Sequence, residues 1–297
     1  MYKLLQQISE IPRVNGSERR IAQFLHRHFV AKGFHVQTLP GNHVFVKMKD
    51  SSPRTVVFTP MDTPGFVCLY KEDGVGYLAS TSKVIGELKD FDSVVNANGD
   101  VFQIQESKYD KKSFCIKSER VQIGENFSIP SKPEVNENQI AGRFSAGIAC
   151  ICLLIKLADL LENPSVALCF TSGSHSGMKA EANVMKRTGA TNAILLNPAE
   201  FDENTDAPIL AIKDGKHFSS KNLSEHFLAA CAVKDIAVRK VVFDQGISAA
   251  ERTYAPHVSE ILSLALPCSR LYQAEEKTIA TENMLFALTH FLNSRTV

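Results

Sequence analysis

Two stretches of helix–strand alternation flank a segment that has none, and that interruption constrains the fold more than any other feature of the chain. Between about Val67 and Glu134 the sequence runs in short alternating pieces, GVGYLAS, DVFQIQ, SFCIKS and VQIGENFSI, separated by Gly, Asp and Asn turns. Short strands with turn signals and little helical periodicity predict a small β-barrel or sandwich. Before it, Ser17-Glu18-Arg19-Arg20 opens a segment with apolar Ile21, Phe24, Leu25, Phe29 and Val30 near helical spacing, closed by Gly33. This pattern predicts a capped amphipathic helix. Strands are expected at 34–39 and 44–48, around Pro40-Gly41-Asn42, and at 55–59. After the interruption, helices are expected at 145–161 and 177–187 and strands at 166–171 and 192–196. The pattern continues through 220–233, 238–243, 261–266 and 281–294. The fold class expected is therefore α/β, a layered domain formed by residues 1–66 and 135–297 and interrupted by a β domain at 67–134.

Bulk properties narrow the function classes. A chain of 297 residues can bury a large core, and 44% hydrophobic with 22% charged residues excludes disordered and fibrous classes. With 33 Lys plus Arg against 32 Asp plus Glu, no sequence-wide charge favours nucleic acid or an anionic membrane as partner. A local basic patch is a separate matter. The longest apolar run, Phe144 to Ile155, is too short for a bilayer, which needs about 20 residues. Gln6, Gln7, Ser9 and Glu10 come too early for a signal-peptide apolar region. The seven cysteines sit mostly inside apolar runs such as ACICLLI and VALCF, without zinc spacing. They fit small buried hydrophobes in a reducing cytoplasm.

In open α/β sheets chemistry gathers beyond the carboxyl ends of the strands, so the loops 60–65, 172–177, 197–202, 245–249 and 270–276 are the places to search. The first holds Asp62, a turn-former or a functional carboxylate. The second, TSGSHSGMK, has His175 where a nucleophile elbow would need Ser, and its spacing is not that of a phosphate-binding Walker loop. It reads either as a capped helix start or as an anion cradle. The third places Asn197 before Pro198, a turn starter, with Glu200, Asp202, Glu203 and Asp206 as an acidic run of the kind usually solvated. The other histidines, His43 among them, are scattered and read as surface or packing residues.

Taken in order, these segments resemble the glutamyl and deblocking aminopeptidases, a family of co-catalytic metallopeptidases. VVFTPMDTPGFV is similar to a strand ending in His-Met-Asp-x-x-Gly-Phe, QIAGRFSAGIACICLLIKL to Asp-Asp-Arg-x-Gly and its helix, and VALCFTSGSHSGMKA to a strand and Glu-Glu-x-Gly loop. AILLNPAE is similar to a strand ending in a metal-binding Asp, QGISAA to Gly-Gly-Thr-Asp-Ala, and LPCSRLYQAEE to Pro-x-Arg-Tyr-x-His. The resemblance implies a three-layer α/β/α domain with an inserted β-barrel, assembly into homo-oligomers, and a pair of divalent metals ~3.5 to 4 Å apart activating a bridging water beside a Glu base. Matched residue by residue, the ligand positions have changed. The first ligand His falls at Pro60, the bridging Asp at Ala141, the base Glu at Ser174, the next ligand Glu at His175, a ligand Asp at Asn197 and the last His at Gln273. Asp62, Arg143, Gly177 and Arg270 survive.

The expectation is a protein of this fold that has lost its di-metal site and binds no metal cofactor. It would serve as a non-catalytic subunit, a regulator, or a binding protein for peptides or amino acids, with itself or a related peptidase as partner. The pocket expected is lined by Pro60, Ala141, Arg143, Asn197, Ser248, Arg270 and Gln273. The alternative is a hydrolase with a rebuilt site, in which His175 activates Ser174 or Ser176 beside Asp62, or joins Glu275 or Glu276 on a single zinc, cobalt or manganese ion. A third reading assembles a conventional site from unmatched residues.

Overall fold

The computed structural model describes residues 2–81, 91–107, 114–136, 139–173, 180–201, 205–248, 250–253, 258–269 and 273–294. The chain opens with helices α1 (Tyr2–Ser9) and α2 (Arg19–Ala31) and strands β1 (His35–Leu39), β2 (His43–Lys47) and β3 (Thr55–Pro60). Next come β4 (Gly65–Glu72), β5 (Val75–Ser80), β6 (Ser93–Asn96), β7 (Val101–Gln103), β8 (Gln105–Glu106), β9 (Phe114–Lys117) and β10 (Asn126–Ser128). Strands β11 (Glu134–Val135) and β12 (Gln139–Arg143) lead into α3 (Ser145–Ala158), β13 (Val166–Thr171), α4 (Ala180–Thr188) and β14 (Asn192–Glu200). The rest is β15 (Ile209–Asp214), β16 (His217–Phe218), α5 (Lys221–Ala232), β17 (Arg239–Phe243), α6 (Ala250–Thr253), β18 (Glu260–Cys268), β19 (Gln273–Lys277) and α7 (Thr278–Asn293).

The main sheet has the order β1-β2-β13-β3-β14-β18-β15-β16, with β17 against β15. Its centre, β13, β3, β14 and β18, is parallel, and β2 and β15 flank it antiparallel. Buried parallel strands need both faces covered, and the alternation along each strand shows how this is met. Val57, Leu168, Phe170, Ile194, Leu196 and Leu264 join one cluster with helices α1, α2, α3, α5 and α7. Val56, Phe58, Ala167, Cys169, Ala193 and Leu195 point the other way, against Val184 and Met185 of α4 and Ala250 of α6. The result is the three-layer α/β/α arrangement expected. Helix α3 lies so deep that twelve of its fourteen residues are buried, which is why it reads as apolar all round.

The interruption in the helical pattern is a second, all-β unit. Seven strands pair in the order β7-β6-β10-β4-β5-β9-β8 around Phe66, Leu78, Val94, Phe102, Ile116 and Phe127. The two edges of this sheet, β7 and β8, are halves of one nearly continuous run, 101–106. Its first half pairs with β6 and its second half with β9, so the sheet curls almost into a closed barrel. Closure of this kind removes exposed strand edges. A third, small sheet, β11-β12-β19, sits where the chain returns from the barrel to α3.

Candidate functional site

The geometry of the main sheet marks its own crevice. From β3 the chain departs toward β13 on one side, by way of the barrel and α3. From β14 it departs toward β15 and β18 on the other. Diverging connections from neighbouring parallel strands leave an opening beyond their carboxyl ends. Pairing of β14 with β3 stops at Leu195 and Phe58, whereas β14 continues with β18 as far as Glu200 and Cys268, and β3 with β13 as far as Pro60 and Thr171. Two residues past the last shared pair, Pro60 and Asn197 stand level with each other on strands that no longer bond.

Asp62 lies just beyond this opening, 7% exposed. The N–H of Met61 donates to the Thr171 carbonyl at 2.8 Å, tying the loop to the neighbouring strand end. The N-terminal segment is laced to the same loop: Thr63 N–H donates to the Arg13 carbonyl at 2.9 Å and Asn15 N–H to the Thr63 carbonyl at 3.2 Å. That lacing brings Arg13 and Glu18 close to Asp62. Burial lowers the Arg13 guanidinium to about 10, while the charges of Cys152 and Asp62 pull it back up. Its Nη1 donates to the Ile8 carbonyl at 3.1 Å. Burial also raises the Glu18 carboxyl, and Asp62 adds to the rise, against hydrogen bonds from backbone N–H groups that include those of Gly16 and Gly173.

His43 completes the set. Burial lowers its imidazole, with Asp62 opposing. Its Nδ1 accepts from the Ser172 N–H at 3.1 Å, so the neutral ring carries its proton on Nε2. The Ser172 hydroxyl donates to the Gly41 carbonyl. Gly41 has φ of 87°, and a Cβ there would meet His43 Nε2 at 3.0 Å, so the turn before β2 needs glycine for conformation and for space. On the far side of the same strand end, Thr171 Oγ1 donates to Glu181 Oε1 at 3.1 Å and fixes α4. The arrangement is thus a buried polar network of two carboxylates, one guanidinium and one neutral imidazole. It can orient a polar group at the crevice mouth and hold a proton there.

The residues named from sequence are distributed as follows. Pro60 ends β3 and Asn197 lies in β14, both half-buried on the crevice. Ala141, half-buried in β12, has Glu134 and Glu275 as register partners, and Arg143 is opposite Gln273, so the small sheet brings Ala141, Arg143 and Gln273 together just before α3. The Arg143 guanidinium lies 5.8 Å from the Phe91 ring centre, and its carbonyl accepts from the Ser131 hydroxyl. Ser248 is held by Asp214. Its hydroxyl donates to buried Asp214, whose Oδ1 also accepts from Ile247 N–H at 2.6 Å, and it caps Ala250 N–H at 3.0 Å. Ser174, His175, Ser176 and Arg270 lie outside the described residues, as do the side chains of Gln273, Glu275 and Glu276.

His43, read from sequence as a surface or packing residue, is a buried packing residue that also meets the site. The ring is 3% exposed and hydrogen-bonded to a strand end beside Asp62. A histidine leading the apolar run Val44-Phe45-Val46 in β2, HVFVK, was the available signal. Arg13, Glu18 and Ser172 carried none, because chain proximity between residues 13–18 and 62 is purely tertiary.

Three of the positions that the sequence resemblance matches to metal ligands, Pro60, Ala141 and Asn197, are among the described residues. Pro60 and Ala141 offer no side-chain donor and Asn197 only a neutral amide, whereas two dications need carboxylates to balance their charge. Among the described residues no three His, Cys, Asp or Glu side chains converge to hold a metal.

No protein-family model and no curated protein matches the sequence. Solved structures do match in fold. An aminopeptidase from the archaeon Desulfurococcus kamchatkensis superposes with a TM-score of 0.86 at 14% identity, covering 99% of this chain and 94% of that one. The TET aminopeptidase of the marine sediment archaeon Thaumarchaeota archaeon SCGC AB-539-E09 gives 0.84 at 14%, with 99% and 96% covered. The TET1 peptidase of Pyrococcus horikoshii, which can assemble into a tetrahedron or a large octahedral shell, gives 0.80 at 13%, with 99% of both chains covered. At such identities the likeness establishes the fold, that of these aminopeptidases, over nearly the whole chain.

Proposed function

We propose that this chain is a peptidase-fold protein that has lost its di-metal site and acts without catalysis, as an oligomer subunit, a regulator, or a binding protein for peptides or amino acids. One observation carries the reading: where β3 and β14 part at the crevice they carry Pro60 and Asn197, neither of which can serve as an anionic ligand. The pocket is then lined by Pro60, Ala141, Arg143, Asn197, Ser248, Arg270 and Gln273, and no metal cofactor is needed. The division into 1–66 with 135–297 and an inserted 67–134 is part of the same reading. So are a cytoplasmic location and a homo-oligomeric state, the latter supported by the assembly of the Pyrococcus horikoshii peptidase. Among the described residues no helix is long and apolar enough to cross a membrane. Protein purified without chelator is expected to carry no stoichiometric zinc, cobalt or manganese and to leave amino-acid anilides intact. Metal-dependent hydrolysis of the anilides would sink the reading.

A second reading is favoured by one feature. Glu18 adjoins both Asp62 and the backbone of Gly173, the residue before Ser174. That proximity supports a rebuilt hydrolase in which His175 activates Ser174 with Asp62 behind it. A fluorophosphonate probe decides between the two: labelling of Ser174 that disappears in His175→Ala selects the hydrolase, and an unlabelled wild-type chain removes it.

A further inference from the structure

The chain is nearly neutral overall, with 33 Lys plus Arg against 32 Asp plus Glu, but its charge is unevenly spread. The outer side of α2 adjoins three concavities that run into one another. The first, about 490 Å³, lies against the barrel and is lined by Glu10, Pro12, Arg20, Val101 and Lys132 among others. It shares Glu10, Ile11, Pro12 and Arg20 with a second of about 430 Å³. The second shares Gln23 and Arg27 with a third of about 530 Å³, which reaches Arg19, Thr38 and Asn42. Through these shared residues the three lie side by side from the barrel along α2, and they are taken together as one grooved surface.

Four exposed cations, Arg19, Arg20, Arg27 and Lys132, line it, against one exposed carboxylate, Glu10. The buried Arg13 also touches the groove, but its guanidinium is turned inward to the Ile8 carbonyl. Among the described residues none of the four cations has an ion-pair partner. Arg20 and Arg27 donate only to the neutral backbone carbonyls of Asn98 and Gln23. Residues 20 and 27 are seven apart, so they share a face of the helix about 10.5 Å from each other. An extended chain advances ~3.3 Å per residue, so about three residues span the distance between the two arginines.

We propose that this groove is a docking surface for an acidic, extended polypeptide segment of a partner protein. Charge complementarity selects the occupant. Gln7, Gln23 and Asn42 stand between the cations and offer amides to a peptide backbone. Nucleic acid fits less well, because grooves that hold single strands pair their cations with exposed aromatic rings on which bases stack. The groove's described aromatic residues are Phe24 and Phe144, half-buried and buried respectively and packed into the two cores.

The test is fluorescence anisotropy on the full chain, with labelled alternating Glu-Gly peptide of about twelve residues, long enough to run past α2 at ~3.3 Å per residue. A Lys-Gly peptide and a single-stranded oligonucleotide of matched charge are the comparison arms. The Glu-Gly peptide is expected to bind, and more weakly as salt rises. Arg19→Glu with Arg27→Glu should lower that affinity about tenfold or more while creating affinity for the Lys-Gly peptide. The gain of Lys-Gly binding guards against a variant that merely fails to fold. The proposal is overturned if the Glu-Gly peptide does not bind, if the double variant binds it as tightly as wild type, or if the oligonucleotide binds more tightly. It is also overturned if the double substitution instead dissolves a self-assembly of the wild-type chain, which would assign the face to a second copy.

Discussion

At the residue scale, the buried polar set around Asp62 makes stability depend on pH in a direction that can be worked out. The His43 imidazole is lowered by burial from its ordinary value of 6.5, so the native state keeps it neutral where the unfolded chain has taken up a proton. Stability from this group is therefore present above the ordinary value and lost as pH falls from there through the lowered native value. His43→Asn, whose amide oxygen can still accept from Ser172 N–H, is expected to flatten that part of the curve in urea melts between about pH 7.5 and pH 5.5. An unchanged slope would mean that other groups carry the dependence. Asp214 offers a second test, because Ile247 N–H and the Ser248 hydroxyl both rely on it. Asp214→Ala should cost about 2 to 3 kcal/mol by leaving those donors buried without an acceptor, and Ser248→Ala about 1 kcal/mol, measured by denaturant unfolding. This is the scale at which sequence was least informative. Asp62 stood out as a loop carboxylate, but its companions Arg13, Glu18 and His43 reach it only through the fold.

At the element scale, hydrophobic periodicity placed most of the main-sheet strands and their helices within a few residues, because each strand alternates between two buried faces. The departures have local causes. The strand expected to stop at Leu196 runs on to Glu200 through Pro198. Pro198 sits where β14 has lost β3 and keeps only β18, and a residue without an N–H is tolerated on such a one-sided stretch. The small sheet β11-β12-β19 and the short helix α1 lacked a readable period. The junction between the two units turns on Gly65, the first residue of the barrel. A Cβ there would lie 2.3 Å from Val14 Cγ2 and 2.4 Å from the Phe127 carbonyl. Gly65→Ala is expected to destabilise by about 3 kcal/mol, since backbone and a buried valine must both yield. Gly147→Ala in α3, where a Cβ meets nothing within 4 Å, should instead stabilise by roughly 0.5 to 1 kcal/mol. A pair of urea melts in which the two substitutions behave alike would refute the packing argument at Gly65.

At the scale of the whole molecule, fold and chemistry are separate questions. The likeness to solved aminopeptidases spans both sheets and the barrel, yet a fold constrains function only through the groups placed at its site. A resident metal would have a thermodynamic signature. A ligand that binds the native chain adds RT ln(1 + [L]/Kd), about 2.7 kcal/mol at one hundred times Kd. For a protein of this size each kcal/mol moves the melting midpoint by roughly 2 to 4 °C, so a resident metal pair would shift it by several degrees when removed or restored. On the proposed reading, Pro60, Ala141 and Asn197 in the matched ligand positions remove the donors through which such coupling would act. Melting followed at one fixed scan rate, with EDTA and then with excess zinc, cobalt or manganese, is expected to move by about 1 °C or less. A rise of several degrees with any one of these ions, reversed by EDTA, would show that side chains outside the described residues rebuild a metal site. It would support metallopeptidase chemistry on this fold.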